Sequence, residues 1–293
     1  MKKVLLVVLV LMFALALAAC GGDAGTTGQG GANVTPGGQD AANNEQSEPA
    51  EETPAKPAIT SPDDLSEPGI RIGVQLGTTG HIHADDHLPD AVVITYDTNS
   101  DAVMALIVGD VDALIMDSEP ARSFVARNEG RIKQLDELLT QEAYGIALPL
   151  NSPYTAMFDD AINTLRDNGT LYALIDYWVN EDPGASRYES PPGTEHPNGT
   201  LLMGTNADFP PFEFIEYGQI VGLDPDIARA IGDLLGYQIE IVDMDFAGII
   251  LAVQTGTVDF GMAGMTITEE RRQHVDFTQG YFLSGQSVIV SLG

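Results

Sequence analysis

Residues 261–277 offer the most chemistry in the chain. They read Gly-Met-Ala-Gly-Met-Thr-Ile-Thr-Glu-Glu-Arg-Arg-Gln-His-Val-Asp-Phe. The apolar run 258–263 predicts a buried strand that empties at Gly264 into Met265, Thr266 and Thr268. Thr268 suits a helix N-cap, and Glu269 and Glu270 suit a first turn. A helix N-terminus presents unpaired N–H groups to an anion. Arg271, one turn in, carries a planar fork that matches a carboxylate. The alternative is a surface helix with Arg271 and Arg272 in water. A second such turn is Gln75-Leu76-Gly77-Thr78-Thr79-Gly80. After it come His81, His83 and His87, in one window with Asp85 and Asp86. His83 and His87 at i,i+4 share a helix face, as metal ligands can. A solvated polar turn accounts for the same residues, and no metal or other cofactor is expected.

The elements that position these turns alternate. Strands are predicted at 70–74, 91–96, 111–116 and 144–148. Between them fall a helix capped by Ser100, with Val103, Leu106 and Ile107 on one face, and another over 119–128. Residues 151–180 predict two amphipathic helices: Phe158, Ala161, Ile162 and Leu165 on one, Leu171, Leu174, Ile175 and Trp178 on the other. Residues 181–199 have no periodicity and predict a linker. A second unit follows. It has strands at 201–205 and 237–242 and a helix from Asp224-Pro225 with Ile227, Ala230, Ile231, Leu234 and Leu235 on one side. Alternation of this kind predicts an α/β fold with mostly parallel sheets. The segment Ala105-Leu106-Ile107-Val108-Gly109-Asp110-Val111-Asp112 echoes Ala252-Val253-Gln254-Thr255-Gly256-Thr257-Val258-Asp259, a faint repeat that predicts two similar lobes.

Of 293 residues, 43 are acidic and 13 basic, for a net charge of −30. Such a chain repels nucleic acid and anionic surfaces, so no nucleic-acid partner is expected. Residues 1–20 read as a signal segment: Lys2 and Lys3, an apolar run, then Leu17-Ala18-Ala19-Cys20. This resembles the bacterial lipobox and makes Cys20, the chain's one cysteine, the expected lipidation site. Residues 21–65 are mostly polar and small, and read as a disordered tether.

Several motifs agree on a family. Gly204-Thr205-Asn206-Ala207-Asp208-Phe209-Pro210-Pro211-Phe212-Glu213-Phe214, Gly222-Leu223-Asp224-Pro225-Asp226-Ile227-Ala228 and 264–271 resemble the first lobe of the extracellular solute-binding proteins, family 3, which bind polar amino acids for ABC importers. Gly73-Val74-Gln75-Leu76-Gly77-Thr78-Thr79-Gly80 and Val111-Asp112-Ala113-Leu114-Ile115-Met116-Asp117-Ser118 resemble the second lobe. The resemblance implies a two-lobed periplasmic-binding-protein-like type II fold with its lobes in permuted order. Residues 66–150 would be the second-lobe unit, 151–180 the C-terminal helices packed on the other lobe, 181–199 the bridge and 200–293 the first-lobe unit. One crossing near 144–151 would then join the lobes, and the chain would end within the other hinge strand.

The resemblance also implies roles. Arg271 would hold an amino-acid carboxylate, helped by Thr266 and the backbone around Gly264 and Met265. Thr78 and Thr79 would approach it from the other lobe, and Asp117 would take the ammonium. Phe209 and Phe246 would flank the side chain. Asn206 stands where cation-selective relatives carry an acid, which favours a neutral polar ligand. The expected protein is a non-enzymatic, lipid-anchored receptor on the extracytoplasmic membrane face, serving ABC permease subunits. The alternatives are a dehydratase on the same fold, with Asp208 or Glu213 as the acid, and a sensory module for a membrane receptor.

Overall fold

The computed structural model describes residues 58–293. The signal segment 1–20, Cys20 and most of the tether lie outside the described residues. The end of the expected tether is packed: Leu65 is fully buried and Ile59 nearly so, both in the core beside Ile72 and Val74. Burying each of these side chains returns about 1.5–3 kcal/mol, which offsets part of the cost of ordering the segment.

The chain first builds β1 (Arg71–Gln75), α1 (Thr79–His87), β2 (Val92–Tyr96), α2 (Asn99–Val108), β3 (Ala113–Asp117), α3 (Ser118–Arg127) and β4 (Ile132–Leu138). It crosses through β5 (Glu142–Tyr144) to β6 (Ala147–Leu148) and continues as α4 (Tyr154–Asp167) and α5 (Thr170–Trp178). There follow β7 (Thr200–Thr205), β8 (Asp208–Phe209), β9 (Glu213–Glu216), β10 (Gln219–Val221), α6 (Leu223–Leu235), β11 (Gln238–Asp243), α7 (Ile249–Gln254), β12 (Phe260–Gly261) and β13 (Asp276–Phe277). The chain then crosses back through β14 (Phe282–Ser284) into β15 (Gln286–Ser291).

Two five-stranded sheets result, ordered β2-β1-β3-β15-β4 and β11-β7-β12-β6-β13. We call them the Asp117 lobe and the Arg271 lobe. In each, three strands run parallel and the next is antiparallel. The antiparallel strand is contributed by the chain as it arrives from the other lobe. β15 therefore belongs to the Asp117 lobe, and β6 and the helices after it belong to the Arg271 lobe.

The lobes are thus joined by two crossings, which corrects the single crossing expected. β5 and β14 pair antiparallel, with Tyr144 opposite Phe282. The run 288–293 is not a hinge end. Val288 and Ile289 are fully buried between β3 and β4, and each such side chain contributes about 1.5–3 kcal/mol.

The sequence echo is a structural repeat. Asp112 accepts the Arg71 N–H at 2.9 Å, and Asp259 accepts the Leu202 N–H at 2.7 Å. Each acid's own N–H returns to the carbonyl of the same residue, Arg71 or Leu202. Both loops therefore clamp the start of the neighbouring parallel strand in the same way.

The Arg271 lobe has the larger apolar core. α4 buries Phe158, Ala161, Ile162 and Leu165, four positions on one face, and α5 buries Leu171 and Leu174. They pack with Leu223, Ile227 and Ile231 of α6. Residues 181–199 form no helix or strand but are fastened to this lobe. The Tyr188 hydroxyl donates to Asp233 at 2.8 Å, and the Tyr188 N–H donates to Asp226 at 3.1 Å. The Trp178 indole N–H donates to the same Asp226 oxygen.

Three local expectations change. Thr98, not Ser100, caps α2, because its hydroxyl accepts the Asp101 N–H. The strand expected at 144–148 breaks at Gly145-Ile146, where the chain turns from the crossing into the sheet. The helix expected after Thr268 is a single 3-10 turn, Arg271–Gln273, because β13 begins only three residues later.

Candidate functional site

A small cavity lies between the lobes. Gln75, Thr78, Thr79 and Asp117 line it from one side, and Asn206, Phe209, Glu213, Phe246, Ala263, Gly264, Thr266 and Arg271 from the other. Nine of the ten expected ligand-binding residues therefore meet here. Met265 does not line the cavity; its side chain is fully buried in the core with Val275 and Phe277.

Arg271 is 6% exposed. Its guanidinium donates to the Thr266 carbonyl at 2.7 Å and, across the cleft, to the Gly77 carbonyl at 3.0 Å. It lies 5.3 Å from the Phe246 ring centre, a cation–π contact. Among the described residues no carboxylate sits within ion-pair distance of it. Burial pulls its pKa down, opposed by the Asp117 and Glu142 carboxylates. With no α-helix behind it, the positive pole here is this side chain rather than a helix terminus.

Asp117 ends β3 on the opposite wall and is also 6% exposed. Burial, and then the charge of Glu142, pushes its carboxyl up to about 7. The Tyr144 hydroxyl donates to it at 2.5 Å. The cleft thus sets a buried cation on one lobe against a buried acid on the other, neither neutralised by a partner of its own.

The threonines differ from expectation in what they offer. Thr78 donates its hydroxyl to the Gln75 carbonyl. Thr79 and Thr266 both donate to one oxygen of Glu142, at 2.7 and 2.5 Å. The Gly264 N–H, expected to face a carboxylate, donates to Asp224 at 2.8 Å. Gly264 itself has a φ of +52°, and a Cβ there would stand 2.4 Å from the Phe209 ring. Only glycine permits that turn with the ring beside it.

Further contacts join the lobes around the cavity. Gln75 donates to Asn206 at 2.9 Å, and Asn99 donates to Gln75. Asn206 gives its own amide to the Met244 carbonyl. At the rim, Asp208 accepts both the N–H and the hydroxyl of Ser100, in the first turn of α2. A side-chain acid at a helix N-terminus stabilises it by about 1 kcal/mol; here it comes from the other lobe. Asp208 is therefore a fastening between lobes and does not line the cavity.

Glu213 is fully buried and neither of its oxygens has a donor. Burial and the Asp224 carboxylate push its carboxyl well above the usual range. Asp224 is pushed up to about 7 by its own burial and accepts from Tyr281.

The histidines do not gather. The His81 ring accepts the Gly77 N–H through Nδ1 and faces Asp85 through Nε2, while His83 and His87 stack at 4.5 Å. Among the described residues no group of three or more metal-ligating side chains converges.

Sequence reasoning gave Glu142 no role in the site. It stands in the crossing strand, in a stretch with neither motif nor periodicity, and only the fold brings it behind Thr79 and Thr266. Gln75 stood within a quoted motif, but its place in the cavity wall was not foreseen, and Glu213 was expected at the cleft only as the acid of the dehydratase alternative.

Residues 201–293 match the family described as bacterial extracellular solute-binding proteins, family 3. The chain is 41% identical over 97 residues to the arginine-binding extracellular protein ArtP of Bacillus subtilis, covering 33% of this chain and 38% of that protein. It is 34% identical over 122 residues to a glutamine-binding protein of Geobacillus stearothermophilus, covering 38% of this chain and 47% of the relative. The chain spans less than half the length of either. Among solved structures, the arginine-bound domain 1 from TmArgBP is 42% identical over 32% of this chain and 82% of that one, with a TM-score of 0.28.

Proposed function

Because the chain belongs, through residues 201–293, to the bacterial extracellular solute-binding proteins, family 3, we propose that it captures a free amino acid between its lobes for uptake by an ABC permease. The observation that carries this reading is the buried Arg271 guanidinium without a carboxylate, facing a buried Asp117 across the cavity between the lobes. A zwitterion supplies both missing charges at once. Arg271 takes the carboxylate, Asp117 takes the ammonium, and Phe209 and Phe246 flank the side chain. The named relatives are binding proteins, which favours a receptor over an enzyme.

Asn206 favours a neutral polar side chain. The relatives named for arginine favour a cationic one. Calorimetry with L-glutamine and L-arginine chooses between them, each expected to bind one per chain if it binds. Absence of binding across all the polar amino acids overturns the receptor reading.

Two finer points belong to the same proposal. Cys20 is the lipidated residue that holds the protein to the extracytoplasmic face of the membrane, so Cys20→Ala should release it from the membrane fraction. The lobes stand in permuted order, a reading supported by residues 58–60 and 290–293 lining one groove on the Asp117 lobe. A chain with residues 200–293 placed ahead of 61–180 keeps both crossings. It should bind the same ligand within about twofold, whereas a rejoined chain that fails to fold would count against the permutation.

A further inference from the structure

We propose that Glu142, which does not itself line the cavity, fixes the polarity of the ligand site by taking the hydroxyl hydrogens of Thr79 and Thr266. This rests on the amino-acid reading above and adds a specificity-determining residue to it.

A threonine hydroxyl has one hydrogen and two lone pairs. Thr79 and Thr266 come from opposite lobes, yet both give that hydrogen to Oε2 of Glu142. The other carboxylate oxygen accepts the Thr140 hydroxyl at 2.7 Å, which holds the group in place. Gln286 reinforces the arrangement: its amide donates to the Thr79 oxygen at 3.0 Å. Thr78 has already given its hydrogen to the Gln75 carbonyl. None of the three threonine hydroxyls lining the cavity retains a hydrogen for a ligand. What Thr79 and Thr266 present is lone pairs, so they accept and do not donate.

Consequently these hydroxyls cannot serve a ligand carboxylate. They suit an ammonium, whose three N–H groups need three acceptors. Asp117 supplies one acceptor and these hydroxyls the rest. The carboxylate is left to Arg271, whose guanidinium spends only part of its five donors on protein carbonyls. Glu142 acts through the threonines and is a positioning residue. Because its two partners lie on different lobes, it organises the acceptor pole only when the cleft is closed.

The test compares three ligands by calorimetry: L-arginine, 5-guanidinopentanoate (arginine without its ammonium) and agmatine (arginine without its carboxylate), with L-glutamine as a second amino acid. In the wild type both truncated ligands should bind at least a hundredfold more weakly than L-arginine. Glu142→Ala frees the hydroxyls to donate. It should shrink the penalty for losing the ammonium at least tenfold, while the penalty for losing the carboxylate stays unchanged. Glu142→Gln keeps an amide oxygen that accepts both hydroxyls and should retain most of the ammonium preference.

If Glu142→Ala weakens L-arginine and 5-guanidinopentanoate by the same factor, Glu142 is merely structural; the proposal falls and the receptor reading stands. If the wild type binds neither L-arginine nor L-glutamine, the receptor reading fails and takes this proposal with it.

Discussion

The two lobes are built on one plan and charged in opposite ways. The register places Ala113 beside Ile72 in one and Phe260 beside Met203 in the other. Continuing along both chains, Gln75 corresponds to Asn206 and Asp117 to Gly264. The first pair meets across the cleft as a hydrogen bond. The second pair has diverged. Where one lobe ends its strand on a carboxylate, the other has a glycine that admits the Phe209 ring, and it supplies its charge seven residues later as Arg271. A repeated scaffold sets equivalent strand ends face to face. Substitution at one end of each pair then turns a symmetric cleft into a polar one.

The largest blow to that polarity is loss of the cation. Arg271→Ala should weaken amino-acid binding by about 3–5 kcal/mol, because a ligand carboxylate would enter a buried site unpaired. Arg271→Lys should recover little of it, since an ammonium lacks the fork. Calorimetry reads both; near-wild-type affinity in Arg271→Ala would mean the lobes are not charged against one another at all.

The acid side is next. Asp117→Asn should cost about 2–4 kcal/mol in affinity. Asp117, held near 7 without ligand, must be ionised to pair with an ammonium. Affinity should therefore fall as pH drops below about 7, by at most tenfold per unit, and Asp117→Asn should flatten the profile. The sign for ligand-free stability is the reverse. A carboxyl raised from its model-compound value of 3.8 binds more protons folded than unfolded between that value and about 7. Each of Asp117 and Asp224 should thus stabilise the ligand-free fold as pH falls through that window, by at most about 1.4 kcal/mol per unit. Thermal melts from pH 8 to 5 check the direction, and Asp224→Asn should remove part of the slope.

Contact between the lobes away from the ligand should matter less. Asp208→Asn removes a charged cap from α2 and should weaken affinity by about 1 kcal/mol, through a less favoured closed state. Scattering on the ligand-free protein should show a more open average shape. Smallest is Tyr188→Phe in the fastened segment 181–199. It lies on the Arg271 lobe alone, so it should cost about 1 kcal/mol or less in stability and nothing in affinity.

Much of this was legible in the residues. Apolar periodicity located α4, α5 and α6, because a helix packed on a core must repeat its buried side chains. The echo between 105–112 and 252–259 reported a true structural repeat, since both loops clamp a strand through the same aspartate. Arg271, Asp117 and the threonine turns were identifiable by type and motif. Short strands were less visible. β4 carried too few buried positions to stand out, and β5 and β14 are held by pairing with each other rather than by an apolar pattern.

What the sequence determined by itself is the long helices and the parallel strands, the two-lobed plan and the residues that carry charge, because these follow from local pattern and side-chain chemistry. Tertiary structure alone decided how many times the chain crosses between lobes. Strand pairing links residues far apart, and β15 joins β3 across more than 160 positions of sequence. It also decided which way each hydroxyl in the cleft gives its hydrogen. A threonine's type leaves that choice open, and it is made by the acceptor that folding places beside it, here Glu142 for Thr79 and Thr266.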